Sequence, residues 1–151
     1  MRAHLISASL QRKGFRSLAK LADRIIRMTF TAIIPSEADI HRSVKFFHNG
    51  FGVAITKGSR IAEDCQIGIG VVLSSRWPAP GGPTLERGVI IYTNAVVLGP
   101  VRIGEESVIA ANSLVITDVP ARCLVSGNPA RVFEKDIDTS KYRYPDTLGD
   151  L

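Results

Sequence analysis

Residues 85–115, LERGVIIYTNAVVLGPVRIGEESVIAANSLV, carry an aliphatic residue at every sixth position. These positions are Leu85, Ile91, Val97, Ile103, Ile109 and Val115. Two residues before them lie Pro83, Val89, Ala95, Val101, Ser107 and Ser113, which are small or β-branched apart from the proline. Neither the period of an α-helix nor the alternation of a simple strand produces this pattern. It is typical of a β-solenoid, in which each short strand and turn directs one aliphatic side chain inwards.

The same period extends towards the N-terminus in two further stretches. The inward positions there are Ile34, Ile40 and Phe46, and then Ile55, Ile61, Ile67 and Leu73. Two interruptions separate the stretches, at 47–54 and 74–84. A solenoid tolerates outward loops because each coil packs only on its neighbours, and long loops on a rigid scaffold often carry function. We therefore predict that both interruptions are loops near a functional site.

The length predicts one domain, which the six-residue period makes all-β apart from a short N-terminal helix, and the composition fits a core of small aliphatic side chains. The chain has 151 residues, of which 45% are hydrophobic and only 7% aromatic. It shows neither an apolar stretch of bilayer-spanning length nor a signal-peptide pattern. Cys65 falls on the small inward position, which favours a buried reduced thiol over a reactive one. From these features we expect a cytoplasmic protein.

Positive charge is concentrated in the N-terminal segment. Residues 1–30 contain seven basic side chains and one acidic side chain, whereas the remainder has twelve basic and thirteen acidic ones. A body built to hold nucleic acid would carry its own positive charge, so we expect no nucleic-acid partner. Helical spacing predicts one amphipathic helix from about Leu10 to Phe30. This helix is expected to pack on the first coil or a neighbouring subunit, or to rest on the inner face of an anionic membrane.

The stretch 34–133 resembles the hexapeptide-repeat acyltransferases, in the branch of serine acetyltransferases and small bacterial polysaccharide O-acetyltransferases. The segments that carry the resemblance are PSEADIHRSVKFFHNGFGVAI, IAEDCQIGIGVVL and GVIIYTNAVVLGPVRIGEESVIAANSLVITDVPARCLVSGNPARVF. The resemblance implies a left-handed parallel β-helix with three faces, a homotrimer with active sites between subunits, and acetyl-coenzyme A (acetyl-CoA) as donor. We expect a basic N-terminal helix over 1–31, the β-helix over 32–135, and an irregular tail over 136–151 lying on a neighbour's surface or partly disordered.

Acetyl transfer from a thioester to an alcohol needs a base that removes the hydroxyl proton, and imidazole suits this role near neutral pH. Of the three histidines, His4 lies in the terminus. His41 directly follows the inward Ile40, so its ring is expected at a coil corner facing solvent or an interface.

His48 is predicted to be the general base. It follows the inward Phe46 by two residues and precedes the glycine-containing loop 49–52, which is the position of the catalytic histidine in the resembling family. Because this loop is one residue longer than is usual there, Asn49 is the second candidate for the catalytic position, and it is also a candidate acceptor-binding residue.

Two departures from the family pattern bear on the acceptor. The serine acetyltransferases place aspartates where this chain has Phe47 and Ile33, and an Arg-His-Pro where the loop 74–83 has no histidine. The orienting carboxylate and the clamp for the serine carboxylate are therefore predicted to be missing. A sugar hydroxyl needs neither, and Trp77, with Arg76 beside it, is a candidate for stacking on a sugar ring.

The resemblance also suggests where coenzyme A would bind. The small corners of the coils would let the pantetheine arm approach the backbone, and basic residues near the closing coil would hold its phosphates. The candidates are Ser75, Asn94, Ala95, Ala111, Asn112, Ser113, Arg131 and Lys135. No metal is expected, because the repeat region lacks a cluster of histidines.

Three hypotheses follow. The first is an acetyl-CoA-dependent O-acetyltransferase acting on a sugar hydroxyl of a polysaccharide or glycan precursor. The second is a serine acetyltransferase-like enzyme with an altered acceptor site. The third is a catalytically silent trimeric scaffold.

Overall fold

The computed structural model describes residues 3–144, which form two helices followed by a solenoid of about four coils. Helix α1 spans Ala3–Arg12 and α2 spans Arg16–Phe30. The strands are β1 (Asp39–Ile40), β2 (Lys45–Phe46), β3 (Ala54–Ile55), β4 (Arg60–Ile61), β5 (Gln66–Ile67), β6 (Val72–Ser74), β7 (Thr84–Leu85), β8 (Ile90–Ile91), β9 (Val96–Leu98), β10 (Arg102–Ile103), β11 (Val108–Ile109), β12 (Leu114–Val115), β13 (Cys123–Gly127) and β14 (Ala130–Lys135). Two 3₁₀ turns lie at Phe47–Gly50 and Thr139–Tyr142.

Each coil contributes one strand to each of three sheets. Sheet A contains β3, β6, β9 and β12; sheet B contains β1, β4, β7 and β10; sheet C contains β2, β5, β8, β11, β13 and β14. All pairings are parallel except the β13–β14 hairpin. The chain thus forms a left-handed parallel β-helix, as predicted.

The six-residue period marks the core. Inward residues of successive coils are register partners, as in Ile61 with Leu85 and Ile67 with Ile91. All thirteen inward positions from 34 to 115 are buried except Ile40, which is half-buried. The small position is also interior, since Ser59, Cys65 and Ala95 are buried. Strands of two or three residues are stable here because every coil buries its inward side chain against the next.

The N-terminal segment differs from its prediction, because it forms two helices rather than one. Helix α1 ends before Gly14, whose φ of 84° is favourable for glycine. Phe15 then leads into α2, which packs on the open end of the solenoid through Ile26 and places it in the main core. The predicted helical spacing holds within α2, but Gly14 separates α2 from the residues of α1.

Residues 136–144, which we call the C-terminal strap, cross the outer face of sheet C. Ile137 is buried against Ile90 and Val108, and the Tyr92 hydroxyl donates to the backbone oxygen of Tyr142 (2.6 Å). The strap therefore lies on the solenoid of its own chain. The sequence predicted a position on a neighbour's surface or partial disorder. Residues 145–151 of the predicted tail lie outside the described range, and the division at 31 and 135 stays a prediction.

Burial of Cys65 generates a prediction about thiol chemistry. Cys65 is fully buried, its Sγ–H donates to the Glu86 carbonyl oxygen (3.0 Å), and desolvation raises the pKa of the thiol from 9.0 to about 12. We expect Ellman's reagent to leave Cys65 unmodified in the native protein and to react with both cysteines after denaturation.

The same burial sets a dependence of stability on pH. Above pH 9.0 the unfolded chain loses the Cys65 proton while the folded state keeps it until about pH 12. The free energy of unfolding should therefore fall across that window more steeply than in the control Cys65→Ala. Equal slopes in the two proteins, or native labelling of Cys65, would contradict the buried protonated thiol.

Candidate active site at the edge between sheets C and A

One edge of the solenoid is built from the turns that lead from sheet C to sheet A, and we call it the C–A edge. In successive coils its turns contain Gly52, Gly70, Asn94 and Asn112, all with φ between 58° and 70°. Glycine and asparagine are the residues that tolerate this left-handed conformation best. The turns stack through backbone hydrogen bonds such as Gly70 N to Phe51 O (2.9 Å). A regular column of turns therefore runs along this edge.

In the first coil the edge carries an additional 3₁₀ turn that contains His48. His48 has φ 47° and ψ 45°, and Asn49 has φ 56° and ψ 23°, so both adopt left-handed geometry without being glycine. Both side chains are exposed, whereas Phe47 before them is buried. A left-handed non-glycine residue costs about 1–2 kcal/mol, and such strain persists only where surrounding contacts hold it. The turn thus presents an imidazole to the outside of the edge.

The imidazole of His48 has no hydrogen-bond partner within residues 3–144. Asp39, which precedes His48 by nine residues, is exposed on β1 in sheet B, the face opposite the C–A edge. A single protomer therefore does not bring this carboxylate to His48. His41 is also separate, since its Nδ1 lies 2.9 Å from Ser43 Oγ in the turn between β1 and β2.

Part of the predicted coenzyme A set lies on the same edge as His48. Asn94 turns the third coil, and Ala111 and Asn112 turn the fourth, with all three exposed. Asn112 lies three coils from the His48 turn, about 14 Å at the usual strand spacing. Ala95 and Ser113 instead point into the core, and the Ser113 Oγ accepts from Gly127 N (3.2 Å). The side chains of these two residues are therefore not accessible to coenzyme A, and only their backbone groups remain for the predicted contact.

The two basic candidates of the closing coil are not brought together. Arg131 is opposite Ser126 in the β13–β14 hairpin, near the C–A edge, whereas Lys135 is opposite Cys123 at the far side of sheet C. Four residues along a strand separate them by about 13 Å. Both side chains are exposed. Arg131 therefore lies nearer to the column of turns than Lys135 does.

The loop with Ser75, Arg76 and Trp77 lies at a different edge, where sheet A leads to sheet B. Trp77 is 90% exposed and forms, with Arg76, Leu98, Pro100 and Thr117 among others, the wall of an apolar cavity of about 550 Å³. Sheet A separates this cavity from His48 within one protomer. The loop and the imidazole can therefore meet only across two protomers.

Two further properties concern residues 3–144 alone. No helix among them is both long enough and apolar enough to cross a bilayer. No three of their His, Cys, Asp and Glu side chains are grouped as a metal site would require.

Three parallel sheets with one inward aliphatic residue in every six define a hexapeptide-repeat β-helix protein. The model of the bacterial transferase hexapeptide family (six repeats) matches residues 82–117. The chain is thus similar to the hexapeptide-repeat transferases in both sequence period and fold.

The relatives are serine acetyltransferases. The chain is 33% identical to that of Mycobacterium tuberculosis over 97% of its own length and 66% of the relative's. It is 37% identical to that of Bacillus subtilis over 86% of its length and 60% of the relative's. A solved serine acetyltransferase in complex with CoA superposes with a TM-score of 0.79 and 29% identity, over 87% of this chain and 54% of that one. The chain thus spans about three-fifths of the curated relatives it matches.

One contact of the His48 turn was not predicted from the sequence. Phe47 contacts the ring of Tyr144, with centroids 4.1 Å apart. The two residues are almost a hundred positions apart, and Tyr144 follows the end of the periodic pattern, so the period carries no information on their contact. The aromatic composition of KYRYP was the one available signal.

The left-handed turn predicts a specific response at Asn49. Replacing Asn49 by alanine should lower the free energy of unfolding by about 1 kcal/mol, because alanine tolerates φ 56° poorly. Asn49→Gly should keep or raise it, and chemical denaturation of both variants measures the difference. Equal stabilities would mean that this residue is not left-handed in solution.

Proposed function

We propose that this protein transfers an acetyl group from acetyl-CoA to a hydroxyl acceptor, with His48 as the general base. The observation that carries the proposal is the exposed imidazole held on the C–A edge, in line with the turns at Asn94 and Asn112. The serine acetyltransferase relatives, one of them solved with CoA, support the same donor.

The reaction requires the transfer of one proton from the acceptor hydroxyl to the leaving thiolate. Neutral imidazole removes the acceptor's hydroxyl proton as the oxygen attacks the thioester carbonyl. The tetrahedral intermediate then collapses, the carbon–sulfur bond breaks, and the imidazolium returns the proton to the leaving thiolate. The products are the acetyl ester and free coenzyme A, so neither a metal nor a redox step is required. Asn94, Ala111, Asn112 and Arg131 would bind the donor along the edge.

We further propose a homotrimer in which a neighbour covers sheet A. The outward residues of sheet A are half-buried and, apart from Ser74, apolar; the apolar ones are Ala54, Val72, Val96, Leu98 and Leu114. Those of sheet B are Asp39, Arg60, Thr84 and Arg102. An apolar face between two functional edges is typical of an interface, and covering it would bring His48 of one protomer towards the Trp77 loop of the next.

For the acceptor, the relatives favour the serine acetyltransferase-like hypothesis over the glycan hypothesis. We therefore propose serine, or a compound of similar size, as the first candidate, bound without the carboxylates that Phe47 and Ile33 replace. The exposed Trp77 and its apolar cavity favour a glycan hydroxyl as the second candidate, because an indole face stacks on a sugar ring.

Release of free coenzyme A from acetyl-CoA tests the proposal. The wild-type protein should release thiol with serine or with one of a panel of glycans and nucleotide sugars. His48→Ala should lower kcat by about 10²–10⁴, the usual contribution of a general base. His41→Ala is the matched control, since it removes an exposed imidazole away from the C–A edge, and should retain the wild-type rate.

The acceptor decides between the hypotheses. Release with serine alone supports the first candidate, and release with a glycan alone supports the second. Full activity of His48→Ala would refute the assignment of the base. A wild-type protein that neither binds coenzyme A nor releases thiol would leave the silent scaffold as the remaining hypothesis.

We also propose that α2 binds anionic lipid, which would place the protein at the inner face of the membrane. Its exposed stripe consists of Phe15, Leu18, Leu21, Ile25 and Met28, and Met28 is 84% exposed. Arg16, Lys20, Arg24 and Arg27 are exposed on the same helix. Apolar side chains at helical spacing with long basic ones beside them suit a membrane surface carrying negative charge.

Sedimentation with vesicles tests this contact. The protein should sediment with phosphatidylglycerol–phosphatidylcholine vesicles, should do so less at high salt, and should stay in solution with phosphatidylcholine alone. Leu21→Asp with Ile25→Asp should abolish sedimentation, whereas Val132→Asp, an exposed apolar site on β14, should not. A smaller oligomer in the double variant, without any vesicle binding by the wild type, would assign the stripe to a second copy instead.

A further inference from the structure

We propose that Tyr144 is a positioning residue for His48, acting through the ring of Phe47. This inference rests on the proposed function, because it assigns the C-terminal strap a role in placing the base. Tyr144 fixes the residue that precedes the base.

The contact between the strap and the His48 turn is aromatic. The Phe47 and Tyr144 rings lie 4.1 Å apart at 38°. Tyr92 packs edge-on against Tyr144, with centroids 5.3 Å apart. Phe47 is buried although the two residues that follow it are exposed. Three rings thus anchor the start of the turn to the outer face of sheet C.

Tyr144 is held independently of the turn that it contacts. Its backbone N–H donates to Oε1 of the buried Gln66 (3.0 Å). Arg143 donates to the carbonyl oxygen of Asp64 (3.2 Å), and the Tyr92 hydroxyl donates to Tyr142 O (2.6 Å). These partners belong to the second and third coils, whereas His48 belongs to the first. The strap is therefore attached to the solenoid at points outside the turn.

The His48 turn needs such support because its geometry is strained. After the base, the backbone is fixed by Phe51 N to His48 O (3.2 Å) and by Gly70 N to Phe51 O (2.9 Å). Before the base, the buried ring of Phe47 contacts Tyr144. The imidazole has no hydrogen-bond partner of its own within residues 3–144, so its position follows the backbone. Loss of the Tyr144 ring would release the strained residues at the end where the base is attached.

The experiment compares Tyr144→Ala with the conservative Tyr144→Phe in the full chain. Tyr144→Ala should lower kcat for thiol release roughly tenfold to a hundredfold, the effect of misplacing a reacting group by about 1 Å, with little change in KM for acetyl-CoA. Tyr144→Phe keeps the ring contact and should restore kcat. In a His48→Ala background, Tyr144→Ala should cause no further loss, because the base through which it acts is absent.

Hydrogen exchange gives a readout that does not depend on activity. Amides of residues 48–53 should exchange faster in Tyr144→Ala than in the wild type or Tyr144→Phe, while those of residues 60–61 and 84–85 in sheet B, the face that the strap does not cross, should not change. Unaltered exchange, or faster exchange with an unaltered kcat, would overturn the proposal. A wild-type protein without acetyl transfer would refute the proposed function, and the exchange comparison would still decide whether Tyr144 holds the turn.

Discussion

The structure depends on the pairing of each coil with the next. A strand such as Arg60–Ile61 is too short to persist alone, but Arg60 N bonds to Pro83 O (3.0 Å) and Ile61 stacks on Leu85. Every strand from β1 to β13 is thus stabilised by coils that lie about twenty residues away in the sequence. Because this stacking fixes the corners as well as the faces, a residue placed at a corner has its position set by the whole column. The C–A edge obtains its regularity, and His48 its location, from this constraint.

The period explains how much could be predicted. Any residue assigned a position in the six-residue repeat could be placed inwards or outwards, and so Cys65 was expected to be buried and His48 to lie just beyond an inward residue. The handedness of the coil came from the family resemblance alone, because a period does not specify a hand. Outside the periodic region, the sequence predicts the course of the chain less well. Gly14 divides the N-terminal segment into two helices, and the course of the strap depends on contacts between distant residues that no local pattern encodes.

The coenzyme A candidates show the same limit within the periodic region. The repeat correctly identifies 94–95 and 111–113 as corners, but only Asn94, Ala111 and Asn112 expose their side chains. Ala95 and Ser113 occupy the small inward position, which the repeat itself already indicates for both. Arg131 and Lys135 are close in sequence yet lie at opposite ends of β14, because an extended strand separates residues that a turn would bring together.

The outward residues distinguish the three faces and explain how the site would be completed. Arg60 and Arg102 on sheet B are exposed to solvent, whereas Ile90 and Val108 on sheet C are buried beneath the strap. A fold with one face covered by its own tail and one polar face has a third face left for a partner, and the outward residues of sheet A are apolar except for Ser74. The strap therefore has two consequences. It removes sheet C from the surfaces available to a neighbour, and it brings Tyr144 to the start of the turn that carries His48. In the proposed trimer the neighbour would supply the acceptor loop, while the strap of the chain itself would hold the proposed base in place.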